Sequence, residues 1–252
     1  MSELKELGVE VYKDVARPAV SEVGAVVGRT AKALLSPIRG FLWCWEQIEQ
    51  LIETEVQKRI EKIPEEQLKT PDPEIAVPLI QSLTYTAHNE TLREMYISLL
   101  ANSMDKAKEN LVHPSYVEII RKMNRLDALV FEKLAFHGGN QRVINPHLML
   151  GNTGKYLVIA FPEWYAGWTI EGFTEFDVSA SMVRLDKFGI IDLMYDRTIQ
   201  GASYEDLKNT PFITSVIEEF KKQYYKEELH LSATESVVSI NEFGKLFRKA
   251  CQ

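Results

Sequence analysis

The residues that could do metal or acid–base chemistry in this chain do not stand at the spacings that such chemistry needs. No two histidines are four residues apart, the spacing that places two metal ligands on one face of a helix. The five histidines are His88, His113, His137, His147 and His230. We therefore predict no metal site and no cofactor, and we expect each histidine to have a structural or surface role.

Motifs for nucleophiles and phosphate binding are also missing. The sequence has no GxSxG elbow. Cys44 lies between two tryptophans in an apolar stretch, a setting that does not favour a reactive thiolate. The fragment GNTGK at Gly151–Lys155 lacks the full phosphate-loop spacing and precedes a strand pattern instead of a helix. We predict that the protein is not an enzyme.

The composition is that of a folded protein. Of 252 residues, 45% are hydrophobic and 26% are charged, and the net charge is −7. This negative charge argues against broad nucleic-acid binding, which needs a positive field. The start, MSELKELGVE, lacks the features of a signal peptide, and no apolar run reaches the roughly 18 residues of a membrane-spanning helix. Two cysteines, Cys44 and Cys251, fit a reduced protein, so we predict a cytoplasmic location.

Apolar residues in the first half of the chain recur at helical spacing. A narrow seam runs through residues 9–35, interrupted at Pro18, and a second amphipathic helix is predicted over residues 41–63. A proline-containing linker follows at residues 64–73. Cap residues then predict three further helix starts, at Asp72-Pro73, Asn89 and His113-Pro114. The seam could also pair with that of a second copy, which would form a homo-oligomer.

The second half of the chain adds strand patterns. Strands are predicted over residues 156–161, 190–195 and 236–240, and helices over residues 126–136, 178–188 (capped by Asp177), 212–226 and 241–250. The passage from helix through glycine to strand in MVRLDKFGII resembles a winged helix, although the extra helix before the last strand departs from it. We predict a mainly α fold, α+β overall. A helical N-terminal domain, residues 1–124, precedes a winged-helix-like C-terminal domain, residues 125–252, with a few short strands.

Residues 23–45 are the candidate for contact with a membrane or partner. This segment has no acidic residue, contains a GxxxG spacing and ends in tryptophans. A basic amphipathic helix with terminal tryptophans can lie on an anionic bilayer, here the surface of the inner membrane. The candidate contact residues are Arg29, Lys32, Arg39, Trp43 and Trp45.

A cluster of aromatic residues after the first predicted strand is the candidate partner loop. Trp164, Tyr165 and Trp168 stand within five positions of one another. Large aromatic side chains dominate the energetics of many protein interfaces. We expect an exposed aromatic patch at this loop, which would bind a protein partner.

The helix 178–188 is the candidate for DNA contact. Its basic residues are Arg184 and Lys187, but Asp186 lies between them and Asp177 precedes the helix, so the surface is nearly neutral. Helices that read DNA present a basic face to several phosphates. Nucleic acid is therefore a less favoured partner than protein.

One block of the sequence carries a resemblance to a known family. The block LREMYISLLANSMDKAKENLVHPSYVEIIRKM, residues 92–123, resembles the signature region of the abortive infection alpha family, as do the upstream segments VYKDVARPAV, LLSPIRGFLW and PDPEIAVPLIQSLTYT. The resemblance covers most of the chain and is strongest over residues 75–129. It implies a role in bacterial defence against phage and provides no catalytic residue set.

The favoured hypothesis is a non-enzymatic, abortive-infection-type defence protein that senses or binds a phage or host protein. Two alternatives remain open: a membrane-associating effector acting through residues 23–45, and a winged-helix regulator that binds DNA.

Overall fold

The computed structural model describes residues 45–151, 155–157, 161–195, 197–226 and 228–252. The chain divides into two compact units, Met1–Glu109 and Asn110–Gln252. The predicted helix over residues 9–35 lies outside the described residues. The predicted domain boundary at 124/125 falls within the second unit.

The described part of the first unit, which starts at residue 45, opens with one continuous helical run of changing pitch. It consists of α1 (Trp45–Leu51), a π-helical segment (Ile52–Val56) and α2 (Gln57–Ile60). The predicted core face of this segment contains Ile48, Ile52, Val56 and Ile60, which recur every four residues, and such a stripe drifts around an α-helix of 3.6 residues per turn. The wider π turn offsets this drift. Within it, the Thr54 hydroxyl donates to the Gln50 carbonyl oxygen at 2.8 Å.

Two longer helices follow within the described residues of the first unit, and each begins after its predicted cap. Helix α3 (Pro73–Thr86) begins after Asp72, whose carboxylate accepts from the Glu74 N–H at 2.9 Å. Helix α4 (Glu90–Ser103) begins after Asn89, and ten of its fourteen residues are buried. Short 3₁₀ helices lie at Glu65–Gln67 and Lys106–Lys108. Burial around most of its circumference makes α4 a structural element of the core.

The second unit contains six helices in its described residues: α5 (Pro114–Lys122), α6 (Arg125–Phe136), α7 (Glu175–Lys187), α8 (Glu205–Lys208), α9 (Pro211–Gln223) and α10 (Glu242–Cys251). His113, the predicted start of α5, and Asn241, predicted from the sequence to cap the last helix, are the N-caps of α5 and α10. The predicted cap of α7 was wrong by three residues. Thr174 is the N-cap, and Asp177 is the third helical residue of a reciprocal capping box, because its carboxylate accepts from the Thr174 N–H.

One antiparallel sheet runs through the second unit. Its strands are β1 (Asn140–Leu150), β2 (Lys155–Leu157), β3 (Ile191–Met194) and β4 (Leu229–Ile240), in the order β2-β1-β4-β3. β1 and β4 pair along eleven positions, from Asn140↔Ser239 to Leu150↔Leu229. The sheet supports the α+β prediction. The expectation of only short strands was wrong, since β1 had no predicted counterpart and β4 begins seven residues before its prediction.

Close helix packing fixes one end of this sheet. A Cβ atom on Gly244 of α10 would lie 1.9 Å from the Ile190 carbonyl oxygen, just before β3. Only glycine allows this approach of helix to strand. At the other end, a buried cluster that includes Ile144, Leu148 and Ile213 joins β1 to α9.

Candidate functional site

An open groove lies between α6 and α10 in the second unit. Its volume is about 560 Å³. The lining residues are Leu129, Glu132, Lys133, Phe136, Thr169, Ile170, Arg248 and Gln252. The set combines apolar walls with two cations and one carboxyl group.

Helix α6 presents one face to this groove and the other to the core. Leu129, Glu132, Lys133 and Phe136 follow the i, i+3, i+4, i+7 pattern that marks one helix face. The opposite face is fully buried at Leu126, Val130, Phe131 and Leu134. The end of α6 is fixed by Gly138, whose φ of 80° suits a left-handed turn. The groove face is thus held by a well-anchored helix.

Phe136 is the most exposed large apolar side chain of this face, with 85% of its surface accessible. Its ring meets the His137 ring edge-on, with centroids 5.6 Å apart. A phenylalanine this exposed gains nothing from the hydrophobic effect in the isolated unit. Buried against a partner, the same ring would provide a large apolar contact.

The two cations of the groove are positioned but keep unused donors. Lys133 Nζ lies 5.7 Å from the centre of the Trp168 ring and 3.4 Å from the Thr169 carbonyl oxygen. Arg248 Nε donates to Gln252 Oε1 at 2.9 Å, and its Nη1 donates to the Ala135 carbonyl oxygen at 3.4 Å. Because arginine has five N–H donors, these contacts leave capacity for an anionic group.

Glu132 lies between these features on α6. Partial removal of water by its surroundings raises the pKa of this carboxyl group above its usual value. The ionised form is therefore less favourable here than in water. The carboxyl group loses part of its charge more readily than an ordinary surface glutamate, which strengthens the cationic character of the groove as pH falls.

The groove is lined by side chains that can make apolar contacts and hydrogen bonds to a bound group. Among the described residues, no three His, Cys, Asp or Glu side chains are grouped closely enough to hold a metal ion. Cys251 is fully buried, and this burial raises the pKa of its thiol well above the ordinary value. What the groove offers chemically is apolar contact and charge-assisted hydrogen bonds.

The aromatic residues predicted to form a partner loop are buried instead. The exposed fractions of Trp164, Tyr165 and Trp168 are 2%, 4% and 7%. The expectation of an exposed patch was therefore wrong. The backbone N–H of Trp164 donates to Ser179 Oγ at 3.0 Å, and the backbone of Tyr165 pairs with that of Ile144. These aromatics attach the segment to α7 and β1.

Ring contacts and hydroxyl groups complete this attachment. Tyr165 and Thr210 share a 2.6 Å hydrogen bond between their hydroxyl groups. The Tyr195 ring lies 4.2 Å from that of Trp164, and its hydroxyl donates to Glu163. Burial, followed by this carboxylate neighbour, raises the pKa of Tyr195. Trp168 stacks on His137 at 5.9 Å and so reaches the end of α6.

The two predicted DNA contacts have different surroundings. Arg184 Nη2 lies 2.8 Å from Asp127 Oδ1, so a buried carboxylate on α6 neutralises this guanidinium group. Lys187 is exposed at the last turn of α7. The charge of Arg184 is therefore paired although 37% of its side chain is exposed, and Lys187 is the more exposed of the two cations.

The N-terminal candidates are placed only at their end. Arg29, Lys32, Arg39 and Trp43 lie outside the described residues, and Trp45 is the first residue of α1. No helix in the described part of the chain is long and apolar enough to cross a membrane.

Comparison with known families decides the relationship that the sequence suggested. The family model of abortive infection alpha matches residues 44–251, most of the chain. The chain belongs to the abortive infection alpha family. No curated protein and no solved structure matches the chain.

Membership of the abortive infection alpha family suggests a role in abortive infection, a form of anti-phage defence. The matched range includes every groove residue except Gln252. Sequence reasoning missed this groove. The one available signal was Phe136, a large apolar residue at the end of an amphipathic helix, in line with the polar pair Glu132 and Lys133.

Proposed function

We propose that this member of the abortive infection alpha family acts as a non-enzymatic, cytoplasmic component of bacterial anti-phage defence by binding a protein partner at the groove. The observation that carries the proposal is the exposure of Phe136, 85% accessible beside two cations on a helix whose opposite face is buried. Exposed aromatic anchors surrounded by polar side chains are typical of protein interfaces.

The charges of the groove favour a particular partner chemistry. Lys133 and Arg248 make the groove locally basic on a chain of net charge −7. Glu132 is the acidic side chain among the lining residues, and loss of surrounding water raises the pKa of its carboxyl group. The fitting partner is a segment of a phage or host protein that presents an apolar side chain to Phe136 and a carboxylate to Arg248.

The winged-helix-like scaffold predicted from the sequence is part of the proposal. Two features support it: α7 leads through Gly189 into β3, and β3, β4 and β1 lie side by side. α8 and α9, inserted between β3 and β4, depart from a minimal winged helix. We propose that the second unit uses a winged-helix-like scaffold for protein contact.

The two alternatives have less support. A DNA-binding role would lose the charge of Arg184 to its pair with Asp127. A membrane role rests on residues 23–45, which apart from Trp45 lie outside the described residues.

A plaque assay with matched variants tests the proposal. Cells expressing the wild-type protein, the Phe136→Ala variant or the Arg248→Glu variant are challenged with a panel of phages. Tyr225→Ala is the control, because Tyr225 is 76% exposed and does not line the groove. We expect both groove variants to lose protection at unchanged protein level and the control to keep it. Full protection by both groove variants would overturn the proposal.

Culture growth at a high ratio of phage to cells tests the mode of defence. In abortive infection, the infected culture collapses although plaque formation is reduced. Protection without collapse would contradict this part of the proposal and leave the binding role of the groove to be judged from the variants.

A further inference from the structure

Strand β4 has an open edge along most of its length. On one side it pairs with β1 from Leu229 to Ser239. On the other side β3 pairs only with the positions from Val237 to Ile240. In the described residues, no strand or isolated bridge pairs with residues 229–236 on the β3 side. We call these eight residues the open stretch.

The direction of the backbone groups along the open stretch follows from its two ends. The Ile240 N–H donates to the Gly139 carbonyl oxygen and the Glu228 carbonyl oxygen accepts from the Gly151 N–H, both on the β1 side and both at 2.6 Å. The direction of the backbone N–H and C=O groups alternates along a strand. The backbone groups of even-numbered residues in β4 are therefore directed toward β1. The N–H and C=O groups directed to the open side are those of Leu229, Leu231, Ala233 and Glu235.

The outer edge of β3 carries a feature that hinders strand pairing, and the open stretch of β4 lacks such features. At the outer edge of β3, the Leu193 N–H donates to Asp186 Oδ1 at 3.2 Å, so a side chain already occupies a backbone donor that another strand would need. The open stretch, LHLSATES, has no proline, lysine, arginine or glycine. Its one carboxylate, Glu235, is neutralised by Lys208 at 3.0 Å. An edge without these protective features is a template for strand addition.

We propose that the open stretch pairs antiparallel with the open stretch of a second copy of this chain, around a twofold axis at Ser232. The register places Leu231 opposite Ala233, His230 opposite Thr234, and Ser232 opposite itself. Pairing then runs from residue 229 to residue 235 in both copies. It ends before Val237, where β3 of the same chain occupies the neighbouring position.

A second copy fits this edge because the stretch is complementary to itself. Leu231 and Ala233 lie on the face that packs against the buried cluster of β1 and α9. The register places Leu231 of each copy opposite Ala233 of the other. His230, Ser232 and Thr234 form the opposite, polar face. No like charges stand opposite each other, and the contact is isologous and closes as a dimer.

The size of the contact sets its strength. Seven paired residues per copy bury less surface than a stable protein interface needs. We therefore expect a dimer whose population rises with protein concentration. This surface lies on β4, apart from the α6–α10 groove, so the inference does not rest on the proposed partner binding.

Disulfide trapping tests the register directly. The Ser232 pair at the axis is a non-hydrogen-bonded antiparallel pair with Cα atoms about 4.5 Å apart, which a disulfide can bridge. The variant is Ser232→Cys in a Cys44→Ser background, and the matched control is Thr234→Cys, whose two copies would lie about 13 Å apart. The remaining cysteine, Cys251, is buried.

On a non-reducing gel after mild oxidation, Ser232→Cys is expected to give roughly tenfold more covalent dimer than Thr234→Cys, since only the first pair lies within bonding distance. Equal cross-linking of both variants, or none in Ser232→Cys, would overturn the proposal.

Light scattering over a concentration series gives the second test, with Ser232→Lys placing two like charges at the axis. The wild-type mass should rise toward that of a dimer, and the variant should stay monomeric with an unchanged melting temperature. A monomeric wild type, or a dimer that Ser232→Lys leaves intact, would equally overturn the proposal.

Discussion

The carboxylate of Asp127 is fully buried and is paired with Arg184, whose Nη2 lies 2.8 Å from Asp127 Oδ1. The same oxygen accepts from Ser181 Oγ at 2.8 Å, and the other accepts from the Asn124 N–H at 3.0 Å. Asp127 thus caps α6 and fastens it to α7 at once. A buried charge needs such partners, because leaving it alone is costly.

Removing the guanidinium group should therefore destabilise the second unit. Arg184→Ala leaves the Asp127 carboxylate buried with two neutral donors, and we expect a loss of about 3 kcal/mol in the free energy of unfolding. Urea denaturation at pH 7 measures it. Lys187→Ala, an exposed cation on the same helix, should change it by less than about 0.5 kcal/mol.

A double-mutant cycle separates this pair from general damage. If Asp127 and Arg184 act as a unit, the double alanine variant should cost less than the sum of the single variants, by about 1–3 kcal/mol. Strictly additive losses would contradict the coupling.

Much of the helical structure could be predicted because its signals are local. Asp72, Asn89 and Asn241 each precede an apolar stripe, and each accepts a backbone N–H of the helix it starts. A capping bond spans only two or three residues, so the sequence shows it directly. The wrong prediction for the start of α7 also comes from local signals, because Thr174 and Asp177 are both residue types that favour a helix start.

Strand β1 could not be predicted because its pairing is distant and its composition indicates a loop. Asn145 and Pro146 interrupt the apolar pattern, and the partner strand begins about eighty residues later along the chain. Pro146 is tolerated because the backbone N–H and C=O positions of even-numbered residues in β1 are directed away from β4. The backbone hydrogen bonds between Ile144 and Tyr165 show this direction. No ladder bond to β4 is lost at this proline.

The burial of the aromatic segment could not be predicted from the sequence either. Composition places Trp164, Tyr165 and Trp168 together but does not say which surface they cover. The contacts that bury them, to Ser179, Ile144 and His137, come from three other parts of the chain. The groove has the same origin, since Arg248 meets Lys133 and Phe136 only after folding.

Two phenylalanines of α6 should differ sharply in their effect on stability. Phe131 is 3% exposed and packs against the Phe247 ring at 5.5 Å, whereas Phe136 is 85% exposed. Phe131→Ala should lower the free energy of unfolding by about 3–5 kcal/mol through loss of burial and formation of a cavity. Phe136→Ala should change it by less than about 0.5 kcal/mol. Urea denaturation compares them, and a costly Phe136→Ala would show that its ring is buried.

Gly244 should tolerate no side chain. A Cβ atom there would stand 1.9 Å from the Ile190 carbonyl oxygen, so α10 must move away from the sheet to admit one. Gly244→Ala should therefore lose at least about 3 kcal/mol of unfolding free energy, although alanine is the better helix former. Thermal unfolding provides the measurement, and Lys245→Ala is the exposed neighbouring control. Wild-type stability in Gly244→Ala would refute the close approach.

Glu132 should make stability depend on pH in a defined direction. Loss of surrounding water raises the pKa of this carboxyl group in the folded state. A raised folded-state pKa means that the folded protein binds the proton more tightly than the unfolded chain does. The associated stability is fully present below the unfolded pKa, about 4.3, and is lost as pH rises through the folded value.

Glu132→Gln removes this ionisation and should therefore unfold with higher free energy than the wild type at pH 7. The gain should stay below about 1 kcal/mol, because the side chain is exposed overall and water screens it. At pH 4, below the unfolded pKa, the two proteins should be nearly equally stable. Urea denaturation at both pH values measures the difference, with Glu219→Gln on α9 as the control for losing one negative charge. A gain that is the same at pH 4 and pH 7 would rule out desolvation of Glu132 as its cause.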